Sequence, residues 1–239
     1  MMHNLQGIIR KNTYNALTQW ERLGYIANNL SNFNTKGYKG VRFEQFMTED
    51  GYLKGAVRTD YRQGSLQVTS NPYDIGIDGQ GYIPVFSKTG EVAYTRDGAM
   101  KQGKDGYLVT SDDWIVGNGI KIPSNCHRFQ IKGNGEVYAY EKGDAKGKKL
   151  GTIPLVVFDN PEGLELTDMN KLKPTDESGE ARLVKNHNRI VQNQIENSNV
   201  SMFGSVTDML RLNASMLAST NMMRVVDDMY NKSINIREG

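Results

Sequence analysis

The chain has one cysteine, Cys126, in 239 residues, so no intrachain disulfide can form. That fits a reducing compartment, or an oxidising one in which disulfides are not used. No apolar run approaches the roughly 20 residues that a membrane-spanning helix requires. The first ten residues, Met-Met-His-Asn-Leu-Gln-Gly-Ile-Ile-Arg, lack a basic start followed by a long apolar core. They are therefore not expected to act as a cleavable secretory signal. An excess of one charge is missing too. The 29 basic and 27 acidic residues leave a net charge of +2. That is no field to gather nucleic acid or an anionic membrane. The four lysines between Lys142 and Lys149 are broken up by Asp144 and glycines, as in a solvated loop.

Residues for catalysis or metal binding are also thin. His3, His127 and His187 lie far apart, and Cys126-His127 lacks zinc-like spacing. Gly76-x-x-Gly79-x-Gly81 is not the order that cradles a dinucleotide. Asp74 and Asp78 lack the rest of a calcium loop. No Gly-x-Ser-x-Gly elbow is present. Asp112-Asp113 and Asp227-Asp228 are expected on solvated faces. The expectation is a non-enzyme with no cofactor, no metal and no small-molecule substrate.

What the chain does have is pattern at its two ends. Leu5, Ile9, Asn12, Ala16, Gln19, Leu23, Ile26 and Leu30 recur at alternating spacings of four and three, a heptad seam with polar members. This predicts a helix over residues 3–32. From Asn28 the composition turns polar, with Asn29, Ser31, Asn32, Asn34 and Thr35 close together. Such side chains compete for backbone hydrogen bonds and favour caps and turns. Gly37 permits a positive φ, and Tyr38 can anchor the extended segment after it. At the other end Met209, Leu212, Met216, Ser219, Met223, Val226 and Tyr230 repeat at three and four, predicting a helix over residues 202–234. Ser198, Asn199 or Ser201 can accept hydrogen bonds from its first amides.

Residues 40–70 read as a linker punctuated by Gly51, Gly55 and Gly64. Residues 71–195 read as a β-rich domain of hairpins, with turns at Thr89-Gly90, Asp97-Gly98, Lys104-Asp105-Gly106, Gly117-Asn118-Gly119 and Gly133-Asn134-Gly135. Pro84 argues for an edge strand or a bulge. Ile153-Pro154-Leu155-Val156-Val157-Phe158 reads as the best-defined strand. The predicted class is α+β: long N- and C-terminal helices pairing as a coiled coil, with a central all-β domain. The divisions expected are 1–39, 40–70, 71–195 and 196–239.

The spaced motif Ala27-Asn28-Asn29-x-x-Asn32-x-x-Thr35-x-Gly37-Tyr38-Lys39 resembles the N-terminal motif of the bacterial flagellar rod and hook proteins. Asp74-Ile75-Gly76-Ile77-Asp78-Gly79, then Tyr94-Thr95-Arg96-Asp97-Gly98, then Asp105-Gly106-Tyr107-Leu108-Val109-Thr110 come in that family's order. Glu196-x-Ser198-Asn199-Val200 resembles its C-terminal hallmark. The resemblance implies a structural subunit whose terminal helices build the inner tube of a hollow, torque-transmitting axial assembly in the basal body. Subunit contacts would come from Leu23, Ile26, Asn28, Asn29, Leu30, Asn32, Thr35, Gly37 and Tyr38. At the other end they would come from Glu196, Ser198, Asn199, Val200, Met209, Leu212, Met216, Met223, Val226 and Tyr230. The implied partners are copies of itself, other rod proteins and the flagellar type III export apparatus. The short stretch between Lys39 and Gln63 points to a proximal-rod subunit, with a distal-rod subunit as the alternative. A reading of another class is a β-domain enzyme or adhesin with helical tails.

Overall fold

The computed structural model describes residues 2–143, 146–185, 187 and 189–235, with side chains from residue 7 to residue 232. The chain forms two compact units. One holds Met1–Asn32, Gly40–Asp60 and Val200–Gly239; the other holds Phe33–Lys39 and Tyr61–Asn199.

The first unit contains helix α1 (Met2–Ser31), strands β1 (Val41–Met47) and β2 (Leu53–Thr59), and helix α2 (Met202–Asn235). Within it α1 and α2 lie against each other. Ser201 caps α2, its Oγ accepting the Gly204 N–H at 3.1 Å, so of the three side chains considered from sequence it is Ser201 that serves. The C-terminus of α1 closes on Asn28, whose carbonyl accepts the Asn32 N–H at 3.2 Å and its side-chain amide at 2.9 Å. The helix thus runs on through Asn28 and Asn29, and the polar cluster acts as its C-terminal cap.

Residues 41–59, read from sequence as part of a linker, pair antiparallel from Val41–Thr59 to Met47–Leu53. Gly51, at φ 79°, makes the turn. This hairpin lies on a second face of α1, spaced like the first: Lys11, Asn15, Thr18, Arg22, Tyr25 and Asn29. Asn15 Oδ1 accepts the Leu53 N–H at 2.8 Å. Arg22 donates to Gln45 Oε1 at 3.1 Å. Tyr25 stacks on Phe43, ring centroids 5.5 Å apart.

In the second unit the strands pair antiparallel, with 3-10 turns at Pro161–Gly163 and Asp168–Asn170. In chain order its strands are β3 (Leu66–Val68), β4 (Ile75–Ile77), β5 (Ile83–Phe86), β6 (Val92–Thr95), β7 (Met100–Gln102), β8 (Leu108–Thr110), β9 (Ile115–Val116), β10 (Arg128–Ile131), β11 (Glu136–Tyr140) and β12 (Lys148–Thr152). They continue with β13 (Val156–Val157), β14 (Glu165–Thr167), β15 (Lys171–Lys173), β16 (Arg182–Leu183), β17 (Ile190–Gln192) and β18 (Gln194–Glu196). The largest sheet runs β14-β15-β6-β5-β9-β8-β7, beside a three-stranded sheet β10-β11-β12 and the pairs β13-β16, β17-β4 and β18-β3. The core gathers Ile75, Ile83, Leu108, Val137, Ile153 and Leu155, all without solvent contact.

Three local expectations are corrected. Pro84 sits in β5, between β6 and β9, and not at an edge. Its carbonyl accepts the Gly117 N–H at 3.0 Å, so the donor it lacks would also point past the end of the two-residue β9, where no ladder needs it. Asp97-Gly98 is not a hairpin turn. Gly98 is there because β4 presses on it: its carbonyl accepts the Ile75 N–H, and a Cβ would fall 1.6 Å from the Ile75 carbonyl oxygen. The apolar run 153–158 is core more than strand; only Val156–Val157 join a ladder.

Candidate functional site

Two arrangements collect the residues singled out by sequence. The first is the helical unit. On α1 the seam residues Ile9, Asn12, Ala16, Gln19, Leu23, Ile26 and Leu30 are buried or half-buried; Leu5 lies outside the described side chains. On α2 the same holds for Met209, Leu212, Met216, Ser219, Met223, Val226 and Tyr230. Gln19 Nε2 donates to Ser215 Oγ at 3.2 Å, a polar contact between the two helices. Burial between the helices is incomplete. Trp20 and Leu17 on α1, and Phe203, Leu210, Leu217, Met222 and Val225 on α2, keep more than half of their surface in water, Phe203 88%. Together they form apolar faces that a lone protomer leaves uncovered.

The second arrangement is a cluster in the β unit around Glu196, at the end of β18. Its side chain has no solvent contact. Lys39 Nζ donates to Oε1 at 2.6 Å, and Arg96 Nε donates to Oε2 at 2.8 Å. The Gly64 N–H also donates to Oε1, at 2.9 Å. Lys39 and Arg96 are nearly as deeply buried, at 7% and 6% of side-chain surface. The remaining donors are used as well. Lys39 reaches the Arg62 carbonyl at 2.8 Å, and Arg96 reaches the carbonyls of Gly81 at 2.7 Å and Gly79 at 3.0 Å. The glycine-rich loop that sequence compared with a phosphate cradle thus holds a guanidinium, through carbonyl oxygens.

Main-chain bonds lace the same place. The Gly37 N–H donates to the Glu196 carbonyl at 2.8 Å, and the Asn199 N–H to the Tyr38 carbonyl at 3.4 Å. Asn199 Nδ2 donates to the Arg62 carbonyl at 2.9 Å. Gly37 is at φ 65°, and a Cβ there would lie 2.6 Å from the Arg96 carbonyl carbon. Tyr38 is buried, which pushes its phenol pKa up.

The structure therefore brings Gly37, Tyr38, Glu196 and Asn199 together, and Ser198 is buried beside them in sequence. Asn28 and Asn32 cap α1. Asn29 holds the start of the hairpin: its Nδ2 donates to the Val41 carbonyl at 2.6 Å and its Oδ1 accepts the Val41 N–H at 2.8 Å. The Thr35 carbonyl accepts the Tyr38 N–H at 3.3 Å, and Val200 is half-buried. Sequence reasoning did not assign a role to Lys39, Arg62 or Arg96, although Lys39 closes the N-terminal motif and Arg96 lies within a quoted one. It also missed the hairpin-facing stripe of α1, whose spacing was there to be read.

Asp112, expected on a solvated face, is instead bound by Lys171 and by Thr110 Oγ1 at 2.6 Å. Among the described residues no group of three His, Cys, Asp or Glu could hold a metal ion, and no helix is long and apolar enough to cross a membrane.

Comparison with known proteins fits this architecture. Residues 76–139 match the family described as the flagellar hook protein FlgE/F/G D1 domain. The flagellar basal-body rod protein FlgG of Agrobacterium fabrum is 30% identical over 241 residues, covering 88% of this chain and 92% of that protein. FlgG of Caulobacter vibrioides is 28% identical, covering 89% of this chain and 92% of the relative. The flagellar hook protein FlgE of Brucella abortus is 35% identical over 123 residues, 47% of this chain and 31% of that protein. The chain belongs to the flagellar rod and hook protein family.

Proposed function

We propose that this protein is a structural subunit of the flagellar basal-body rod, in its distal part. The observation that carries the reading is similarity to FlgG proteins along nearly their whole length, 92% of two of them. The preference for a proximal-rod subunit is not supported. It rested on the shortness of the stretch between Lys39 and Gln63, and what speaks against it is that the relatives matched along most of the chain are FlgG proteins.

In this reading α1 and α2 pair as a coiled coil and, with neighbouring copies, wall the inner tube; the β unit forms the outer layer. The uncovered apolar faces supply the association energy. A helical, non-closing assembly needs two different and complementary surfaces on each subunit. The interface residues expected from sequence divide accordingly. Met209, Leu212, Met216, Met223, Val226 and Tyr230, with Leu23, Ile26 and Leu30, hold the two helices together. Gly37, Tyr38, Glu196, Ser198 and Asn199 hold the connecting segments, and Asn28, Asn29, Asn32, Thr35 and Val200 shape the helix ends. Delivery would be by the flagellar type III export apparatus, and the neighbours are further copies and other rod proteins.

Electron cryotomography of basal bodies in a strain lacking this gene tests the proposal. The expected result is a rod that stops short with no hook beyond it. A missing rod from its base upward would return the subunit to the proximal part, and an unaltered rod would refute the assignment.

A further inference from the structure

The tripeptide Gly-Asn-Gly occurs twice, as Gly117-Asn118-Gly119 and Gly133-Asn134-Gly135, and no other asparagine of the chain precedes a glycine. An asparagine before glycine carries a latent reaction. The glycine backbone nitrogen can attack the side-chain amide carbon, because no side chain shields that nitrogen and the glycine backbone turns easily. Local sequence gives both sites the same reactivity, so the fold sets any difference between them.

The second site is held. The Gly135 N–H donates to the Lys132 carbonyl at 2.9 Å, and the Gly135 carbonyl accepts the Ile153 N–H at 2.8 Å. Asn134 Oδ1 accepts the Glu136 N–H at 3.1 Å, which tethers the side chain. Gly135 is buried, and a Cβ on it would fall 2.3 Å from the Ile153 carbonyl oxygen. Its peptide cannot turn its nitrogen on the Asn134 side chain without breaking these bonds together.

The first site is loose. Asn118 is exposed, and its side chain has no hydrogen-bond partner among the described residues. The Gly119 N–H reaches the Val116 carbonyl at 3.3 Å, longer than the usual N–H···O range. A Cβ on Gly119 would meet nothing nearer than the Tyr107 ring at 3.7 Å, so the peptide has room to turn. The flanks, by contrast, are fixed. The Gly117 N–H donates to the Pro84 carbonyl at 3.0 Å, and the Ile120 carbonyl accepts the Leu108 N–H at 2.8 Å. The freedom of this turn is confined to the two residues that would react.

We propose that Asn118 is a site of spontaneous deamidation in the folded protein, and that Asn134 is protected. The Gly119 nitrogen gives its proton to solvent base and bonds to the Asn118 side-chain carbon. The side-chain nitrogen takes up a proton and leaves as ammonia, closing a succinimide ring. Water then opens the ring. Attack at one carbonyl gives aspartate; attack at the other gives isoaspartate, whose main chain is longer by a methylene. Either product adds a negative charge to the turn. Isoaspartate does more, because the bonds to Pro84 and Leu108 leave no slack for a longer chain. Ile120, 2% exposed, is the core residue that the lengthening would push. The inference stands apart from the rod reading.

The test uses the full chain as it is, kept folded at mildly alkaline pH, sampled over days and digested briefly with trypsin. Cleavage after Lys104 and Lys121, and after Lys132 and Lys142, places one Gly-Asn-Gly in each of two peptides. The mass gain of amide to acid should appear several-fold faster in residues 105–121 than in residues 133–142, with isoaspartate among the products. In urea the two peptides should react at similar rates. Equal rates in the folded chain, or an unaltered 105–121 peptide while the unfolded chain reacts, overturns the proposal. A second arm reads stability. Aged protein should contain a lower-melting fraction, and Asn118→Gln aged alike should not. Asn118→Asp, with the charge but a normal main chain, should melt with the fresh parent. Aged protein that carries the full mass gain and isoaspartate, yet melts as the fresh parent does, overturns the strain assigned to the turn.

Discussion

Lys39 and Glu196 stand 157 positions apart in the chain and meet at 2.6 Å, both side chains buried. The pair joins the segment leaving α1 to the segment leading into α2, and Arg96 neutralises the second carboxylate oxygen. Removing one member of such a group leaves buried charge without compensation. Glu196→Gln should therefore destabilise the β unit by about 3–5 kcal/mol. Calorimetry of the full chain should show its transition fall by roughly 10 °C. A shift of only a degree or two would mean that water already relieves these cations.

Two glycines should answer alanine in opposite directions. Gly37→Ala forces a residue with a Cβ to φ 65° against the backbone of Arg96 and Asp97. A loss of about 2–4 kcal/mol is expected, read by denaturant unfolding. Gly24→Ala places a methyl in open space on a helix, and should stabilise the helical unit by about 0.5–1 kcal/mol. A stabilised Gly37→Ala protein would show that the turn there is not required.

Asn29 was expected to serve contacts between subunits, and its amide is engaged by both main-chain groups of Val41. Asn29→Ala should loosen the start of the hairpin by about 1–2 kcal/mol. Faster hydrogen exchange at Val41 and Phe43, with the Leu66–Val68 strand unchanged, is the expected signature. Uniform protection across the hairpin would mean that the Tyr25–Phe43 stack alone holds it.

The Asp112 carboxyl is pushed up by burial, but hydrogen bonds from Lys171 and Thr110 outweigh that and hold it below the usual Asp range. A depressed carboxylate contributes stability above its unfolded pKa and loses it as pH falls through the folded value. Thermal stability should thus decline as pH drops below about 3.9, the ordinary Asp value. Asp112→Asn should flatten that decline in melts run between neutral and acid pH. Asp97 acts in the opposite sense: burial raises its pKa, so its contribution is present at low pH and fades as pH rises through the raised value. An identical acid profile for Asp112→Asn and the parent would exclude the Lys171 contact as its source.

The helices and their inward faces were legible because a helix repeats every 3.6 residues, and a run of apolar positions at three and four can satisfy only one side of it. Leu212 and Met216 on one helix, and Gln19 and Ile26 on the other, were placed by that arithmetic alone. Turn residues such as Gly90, Gly106 and Gly135 were legible for a similar reason: each adopts a positive φ that their neighbours would resist. The α1 stripe that holds the hairpin has the same spacing, but its polar and aromatic members carry no hydrophobic signal.

Spacing and composition by themselves determined that this chain has a long helix at each end and a β-rich stretch between them in sequence, and the ordered motifs determined its family. Only the tertiary structure decided that Lys39, Arg96 and Glu196 form one buried group, that Gly98 yields to β4, and that residues 41–59 are a hairpin on α1. Those outcomes depend on distances between residues remote in the chain, where desolvation and close packing select partners that no local pattern records.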